Sequence, residues 1–263
     1  MLFGSRTAAP APARIPLPSV MPQVPSAELG ARYRQARVGG DFFDFVPLGQ
    51  RLAFVLLDVA GRRAVAMAVA ATVQDTLRAL VPELLADGAA NVSLALTEIA
   101  LRLNRTILAG GEVRCTPTFL ACYDYDAGTL WYVNAGHVAP IVKDASGTCL
   151  LPATGLPLGL FSHATQDAAV CALAPGDVLV AASRGIIEAR GPRREEFGLE
   201  RLQEFIAEAE VSSADALCAT VLDTVCTFIS QQPNGISRLW SQLANNEPGN
   251  DLTVIALHRT VLS

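Results

Sequence analysis

Six cysteines and three histidines are the residues best suited to bind soft metals, attack an electrophile or shuttle a proton, and their spacing organises none of these. The cysteines fall at positions 115, 122, 149, 171, 218 and 226, with no CxxC pair. Most sit in apolar runs, as Cys122 does in TFLACYDY, and read as small buried hydrophobes of a reducing compartment. His163 and His258 read as surface residues, whereas His137, in NAGH, is a candidate general base. Carboxylates at the ends of apolar runs form the second group. Asp58 closes LAFVLLD, although Asp-x-x-Gly after a strand is also an ordinary turn, and Asp44 reads as an exposed strand or turn carboxylate. The pair Arg62-Arg63 is either a solvated helix start or a phosphate contact, because cations there oppose the helix dipole.

Composition limits the partners. Net charge is −5 and Lys143 is the sole lysine, so no cationic stripe suits a nucleic-acid backbone. The short run Arg190 to Arg194 is followed at once by Glu195 and Glu196 and reads as a solvated loop. No run approaches the roughly 20 apolar residues that a bilayer span needs, and no membrane partner is expected. The opening residues have four prolines before position 20 and no continuous apolar core, so they do not read as a signal peptide. These features predict a cytoplasmic protein with a flexible Pro/Ala-rich leader over residues 1–27, no sensor domain ahead of residue 28, and one folded domain over 28–263.

The elements that must position the candidates follow from periodicity. LGARYRQAR, DFFDFVPLG and RLAFVLLDVAG read as strands. AVAMAVAATVQDTLRALVPELLA suits a buried helix, with no internal breaker until Pro82, and SLALTEIALRLNRTILAGG a second one with Ser93 as N-cap and the glycines as its stop. Hairpins are expected around Asp126 to Gly128 and around Asp144 to Gly147, and two further strands flank Pro175 to Asp177. Two amphipathic helices follow, the second capped at Ser213, and LTVIALHR is the last strand. The 231–249 segment is long for a bare connection, and Leu239 with Trp240 would anchor it to the body or to a partner. This order does not alternate strand and helix, so it predicts an α+β fold of two mainly antiparallel sheets flanked by helices.

Seven phrases give the chain a family resemblance. They are VGGDFFDF, LLDVAGRRAVAMAVA, TPTFLACYDYDAGTLWYVNAGHVAPIV, GLPLGLF, LAPGDVLVAASRGIIEAR, EFGLERL and NDLTVIAL, in that order. The chain resembles the SpoIIE/RsbU branch of the PPM (type 2C) metal-dependent serine/threonine phosphatases over about residues 28–259. The resemblance implies an α-β-β-α sandwich whose aspartates hold two Mn²⁺ or Mg²⁺ ions. Those metals lower the pKa of a bridging water that attacks the phosphoester in line, so no protein nucleophile is needed. Carried over residue by residue, Asp41 would orient metal-bound water and Asp58 would bridge both metals, with the Val59 carbonyl as a further ligand. Two family carboxylates are replaced here. TDG reads Ser183-Arg184-Gly185, and the metal-binding place of DD is held by Asn250, with Asp251 after it. The family's GKG turn reads Gly61-Arg62-Arg63. In the family, the NAGH histidine is structural.

Arg184 turns an attraction for a dication into a repulsion, and Asn250 offers oxygen without charge, so metal binding is expected to be weakened or lost. Arg184 is instead expected to pair with Asp58, standing in for one metal. The function expected is hydrolysis of phosphoserine or phosphothreonine on a regulatory protein; the alternative is a pseudophosphatase that keeps the fold as a signalling binding module. A scaffold with no phosphoprotein partner is a third reading. The resemblance implies a STAS-domain anti-sigma antagonist as partner, and a homodimer is compatible with it.

Overall fold

The computed structural model describes residues 14–36, 40–59, 61–111, 115–230 and 249–260. Strands β1 (Ala27–Arg34), β2 (Asp41–Leu48) and β3 (Arg51–Asp58) lead into helices α1 (Arg63–Leu85) and α2 (Val92–Gly110). Six strands follow: β4 (Thr118–Asp124), β5 (Thr129–Ala135), β6 (Ile141–Asp144), β7 (Gly147–Leu150), β8 (Ala169–Ala172) and β9 (Val178–Ala182). Helices α3 (Arg184–Ile187), α4 (Leu199–Glu208) and α5 (Ala214–Ser230) precede the closing strand β10 (Leu252–Arg259).

The strands form two sheets, in the orders β1-β10-β9-β6-β7 and β2-β3-β4-β5-β8, and the neighbours within each sheet run antiparallel. Three apolar layers hold them. Phe54, Phe119, Tyr123, Leu179 and Ile255 fill the space between the sheets. Val55, Leu57, Leu77, Leu96 and Leu103 pack α1 and α2 on the second sheet, and Val180, Val221, Val225 and Val254 pack α5 on the first. β3 is buried on both faces for that reason, which explains an unbroken apolar run where a half-exposed strand would alternate. The α+β sandwich expected from the sequence is the fold observed.

Several local expectations change. The N-cap of α2 is Asn91, whose side chain accepts from the Leu94 N–H at 3.1 Å, and not Ser93. The stop is as expected, at Gly111 with φ of 70°. Ser213 caps α5 through the Ala216 N–H at 3.1 Å. The strands flanking Pro175 to Asp177 belong to opposite sheets, so that turn carries the chain across the sandwich. α3 is a single turn that periodicity does not announce.

By length and composition alone α1, with 23 residues and an 18-residue stretch of mean hydropathy 1.3, meets the requirement for a bilayer span, contrary to the sequence reading. Its Ala70, Leu77 and Val81 instead lie in the core against α2 and the sheet. Within the predicted leader, Leu17 exchanges two hydrogen bonds with the buried Gln74 of α1, at 2.7 and 3.0 Å, and β1 already begins at Ala27. Residues 1–13 of the leader, and 231–248 with Leu239 and Trp240, lie outside the described residues.

Candidate functional site

The antiparallel register of β2 on β3 places Asp41 directly opposite Asp58. Opposed residues in such a pair hold their Cβ atoms about 4.5–5.5 Å apart, so two carboxylates crowd one end of the sandwich. Gly40 permits this turn. A Cβ there would lie 2.3 Å from the Ala66 Cβ and 2.6 Å from the Val59 carbonyl oxygen. The Val59 N–H in turn donates to the Gly40 carbonyl at 3.3 Å, which fixes where the Val59 backbone sits.

The other sheet supplies the facing half. Leu252 and Val254 point into the helix-side core, so Asp251 and Thr253 point the opposite way, toward the aspartates. The Thr253 hydroxyl donates to Asp41 Oδ2 at 2.6 Å. Ser183 locks this strand end: its N–H donates to the Thr253 carbonyl at 2.9 Å, and its Oγ accepts from the Thr253 N–H at 3.1 Å. Gly185 lets α3 lie on β10, because a Cβ there would meet the Asp251 carbonyl oxygen at 2.0 Å and the Asn250 Cβ at 3.2 Å. Asp41, Asp58, Arg184 and Asn250 thus converge at one end of the sandwich.

Two arginines reach these acids. Arg184 Nε lies 3.2 Å from Asp58 Oδ2 and 3.7 Å from Glu188 Oε1, with 44% of its side chain exposed. Arg63 Nη2 donates to Asp251 Oδ1 at 2.7 Å and to the Ala36 carbonyl at 2.9 Å. Asp251, fully buried, also accepts from the Ala36 N–H at 2.7 Å and the Tyr33 hydroxyl at 2.9 Å. Burial pushes the Asp41 carboxyl up to about 7, against the lowering hydrogen bonds from Ser183 and Thr253, with Asp58 and Asp251 adding to the rise. Burial raises Asp58 too, and Arg184 opposes that rise by charge and hydrogen bond. A cavity of about 370 Å³ opens beside the site, lined by Leu17, Tyr33, Asp41, Phe43, Arg63 and Met67.

Three readings of single residues are corrected. Arg62 is exposed at the start of α1; Arg63, one residue and about 100° further round the helix, enters the site. Asp44 is fully buried, not exposed, and Arg78 of α1 grips both its oxygens at 2.8 and 3.0 Å. His258 is half-buried, 3.8 Å from Glu28. His163 is exposed as expected. His137 is buried with Nδ1 on the Val138 carbonyl at 3.0 Å, and burial lowers it to about 4, so it is neutral at pH 7. Its backbone N–H donates to the Asn134 side chain at 2.8 Å, and it packs a turn.

Nothing in the sequence pairs Tyr33 or Arg63 with Asp251, 218 and 188 positions away. The signal for Asp251 and Thr253 was present: polar residues two apart in an apolar strand share a face. Among the described residues, no group of three or more His, Cys, Asp or Glu is placed to hold a metal ion.

The comparisons with known proteins agree with this architecture. The family model described as Stage II sporulation protein E (SpoIIE) matches residues 49–260. Protein IcfG of Synechocystis sp. is 27% identical over a 222-residue alignment that covers 74% of this chain and 35% of IcfG, so the chain spans about a third of that relative's length. The RsbU and RsbW domains of Rv1364c from Mycobacterium tuberculosis superpose with a TM-score of 0.71 at 24% identity, covering 91% of this chain and 63% of that one. The phosphatase domain of SpoIIE from Bacillus subtilis, with a fragment of its regulatory domain, gives 0.66 at 17% identity, covering 90% and 64%. At those identities the two structures show a common fold. The family match spans most of the chain, and on it the chain belongs to the SpoIIE family.

Proposed function

We propose that this domain is a pseudophosphatase of signalling: a SpoIIE-type fold that keeps the recognition end of the sandwich and has exchanged its metal centre for ion pairs. The observation that carries the reading is Arg184 Nε at 3.2 Å from Asp58 Oδ2. A guanidinium is a fixed cation with a planar fork of donors and meets a carboxylate as a metal would, without supplying a bound water.

The remaining donors do not fit a pair of dications. One Asp41 oxygen accepts from Thr253, and both Asp251 oxygens are taken by Ala36, Tyr33 and Arg63. A hard divalent cation needs several free, charged oxygens. Here Asp58 is neutralised, Asn250 carries no charge, and Arg184 repels a cation placed between them. What the site offers instead is a polar end of the sandwich beside the cavity at Asp41 and Arg63. We assign it to binding a regulatory phosphoprotein of the STAS class; the likeness to a chain that carries RsbU and RsbW domains supports a regulatory partner.

A second reading is a phosphatase with weakened metal binding. It is favoured by the Asp41–Asp58 pair, which stands in register, and by the 44% exposure of Arg184, which leaves that side chain room to turn outward. Calorimetric titration with Mn²⁺, run beside turnover of a generic phosphoester, separates the two. The pseudophosphatase reading expects no Mn²⁺ binding and no turnover by the natural chain, with Mn²⁺ binding appearing in Arg184→Asp/Asn250→Asp. If the natural chain binds Mn²⁺ as well as the double variant and turns over at a comparable rate, the enzyme reading stands.

A further inference from the structure

Cys149 and Cys171 take no part in the site described above. β7 closes one sheet and β8 closes the other. The two edges lie on the same side of the sandwich: beyond β7, the Leu151 carbonyl accepts from the Asn134 side chain of β5, which is the neighbour of β8. Both thiols are free.

Register shows which way each side chain points. Cys149 stands opposite Val142, which lies in the layer between the sheets. Its neighbour Thr148 points the other way and accepts from Gln203 of α4 on the outer face. Cys171 stands opposite Leu130, again in the layer between the sheets, and packs against that layer itself. Its neighbour Val170 points outward and is 57% exposed. Alternation along the strands therefore sends both thiols into the gap at the open edge, from opposite sheets. Cys149 and Cys171 are each close enough to Tyr132 for their charges to raise its hydroxyl pKa.

We infer that Cys149 and Cys171 form a reversible intramolecular disulfide that staples the two sheets at their open edge. Two thiols and one molecule of hydrogen peroxide give one S–S bond and two waters. The first thiolate is oxidised to a sulfenic acid with loss of one water, and the second thiol displaces the other water. An external disulfide does the same by exchange and departs as two thiols. The reaction is slow at neutral pH. Burial raises both thiols, Asp144 and Asp177 add to the rise at each, and Cys149 itself adds to it at Cys171. Since the thiolate is the reacting form, the pair answers sustained oxidation and not a brief pulse.

The bond would close the crossover that leads from one sheet to the other. That segment holds Gly155 to Phe161, with Leu156, Leu160 and Phe161 exposed. Its tip is already tied to α2, where the Asn104 side chain donates to the Phe161 carbonyl at 3.0 Å and accepts from the Gly159 N–H at 2.7 Å. A staple at its base would hold both ends of this apolar segment. The inference does not depend on whether the site hydrolyses phosphoesters.

The test treats the full chain with hydrogen peroxide, and separately with oxidised glutathione, at about pH 8.5, followed by peptide mapping without reduction. The expected result is one cross-linked peptide joining Cys149 to Cys171, lost on reduction and absent from Cys149→Ser and from Cys171→Ser. Melting temperature should rise by about 5 °C or more on oxidation of the natural chain and not of either variant. If a serine variant fails to fold, the map of the natural chain decides alone. Mixed disulfides or sulfinic acids at 149 and 171 without a cross-link, or a cross-link from either to Cys115 or Cys226, overturn the inference.

Discussion

Two arginine–aspartate pairs sit at the same end of this sandwich and are built differently. Arg63 meets an Asp251 that is fully buried and already holds the Ala36 N–H and the Tyr33 hydroxyl. Arg184 meets an Asp58 whose side chain is 11% exposed, from a side chain that is itself 44% exposed. The first pair is a closed network in which each oxygen has a donor; the second is a single contact at the rim. The contrast separates charge compensation from structural locking: Arg63 completes a buried hydrogen-bond network, while Arg184 acts on the charge that Asp58 presents.

The largest test of this contrast is Arg63→Ala. It strands a buried carboxylate, which costs up to about 5 kcal/mol when the partner charge is removed. Chemical denaturation should show that loss, and adding Asp251→Asn should recover part of it, because the amide needs no counter-charge. If Arg63→Ala unfolds at the same denaturant concentration as the natural chain, the locked half of the comparison fails.

Asp41 gives the next largest effect. Its carboxyl is raised from the ordinary carboxylate range to about 7, so between about pH 4 and 7 the folded chain holds a proton that the unfolded chain has lost. The stability it contributes is fully present below pH 4 and is lost as pH rises through 7, up to about 4 kcal/mol in all. Asp41→Asn keeps an acceptor for Thr253 and removes the titration. The variant should therefore gain stability relative to the natural chain as pH rises from 4 to 8. A difference that does not change with pH across that window would show that Asp41 does not bind a proton in the folded state.

How much of this was legible beforehand depended on periodicity. Asp41 and Asp58 could be placed at one end because both terminate apolar runs. The register that sets them face to face follows from a short β2–β3 connection at Gly49-Gln50. The choice between Arg62 and Arg63 was not legible, since a helix start that shifts by one residue turns the side chain by about 100°. The burial of Asp44 is hidden in the sequence because its strand is apolar on both sides: Phe43 and Phe45 line the inter-sheet layer, while Asp44 faces α1 and needs Arg78, 34 positions later. Nor does the sequence say that the strands around Pro175 to Asp177 belong to opposite sheets, because a tight turn looks the same whether it closes a hairpin or crosses a sandwich.

Restoring the metal carboxylates sharpens the comparison from the other side. In Arg184→Asp/Asn250→Asp, binding of Mn²⁺ to the folded state alone should stabilise the chain by about 2.7 kcal/mol when the ion is at a hundred times its dissociation constant. The natural chain should show no such gain in the same thermal scan. Equal stabilisation of both would mean that Arg184 yields to the cation.

Arg184→Ala should have the smallest effect, about 1 kcal/mol or less, because an exposed guanidinium is screened by water and loses side-chain entropy when it pairs. The loss should depend on pH in a definite way. Arg184 is the main influence lowering the Asp58 carboxyl against burial, so its removal lets that carboxyl rise further. The substitution should cost least at acid pH and more as pH rises and charge builds on the two carboxyls opposed across β2 and β3. Arg184→Lys keeps the positive charge without the planar fork, so it should recover the alkaline stability in part while leaving the geometry of the contact looser. A loss as large as that of Arg63→Ala would mean that the rim pair is part of the lock. No loss at any pH would place Arg184 in solvent, free Asp58 for a cation, and move the balance toward the enzyme reading.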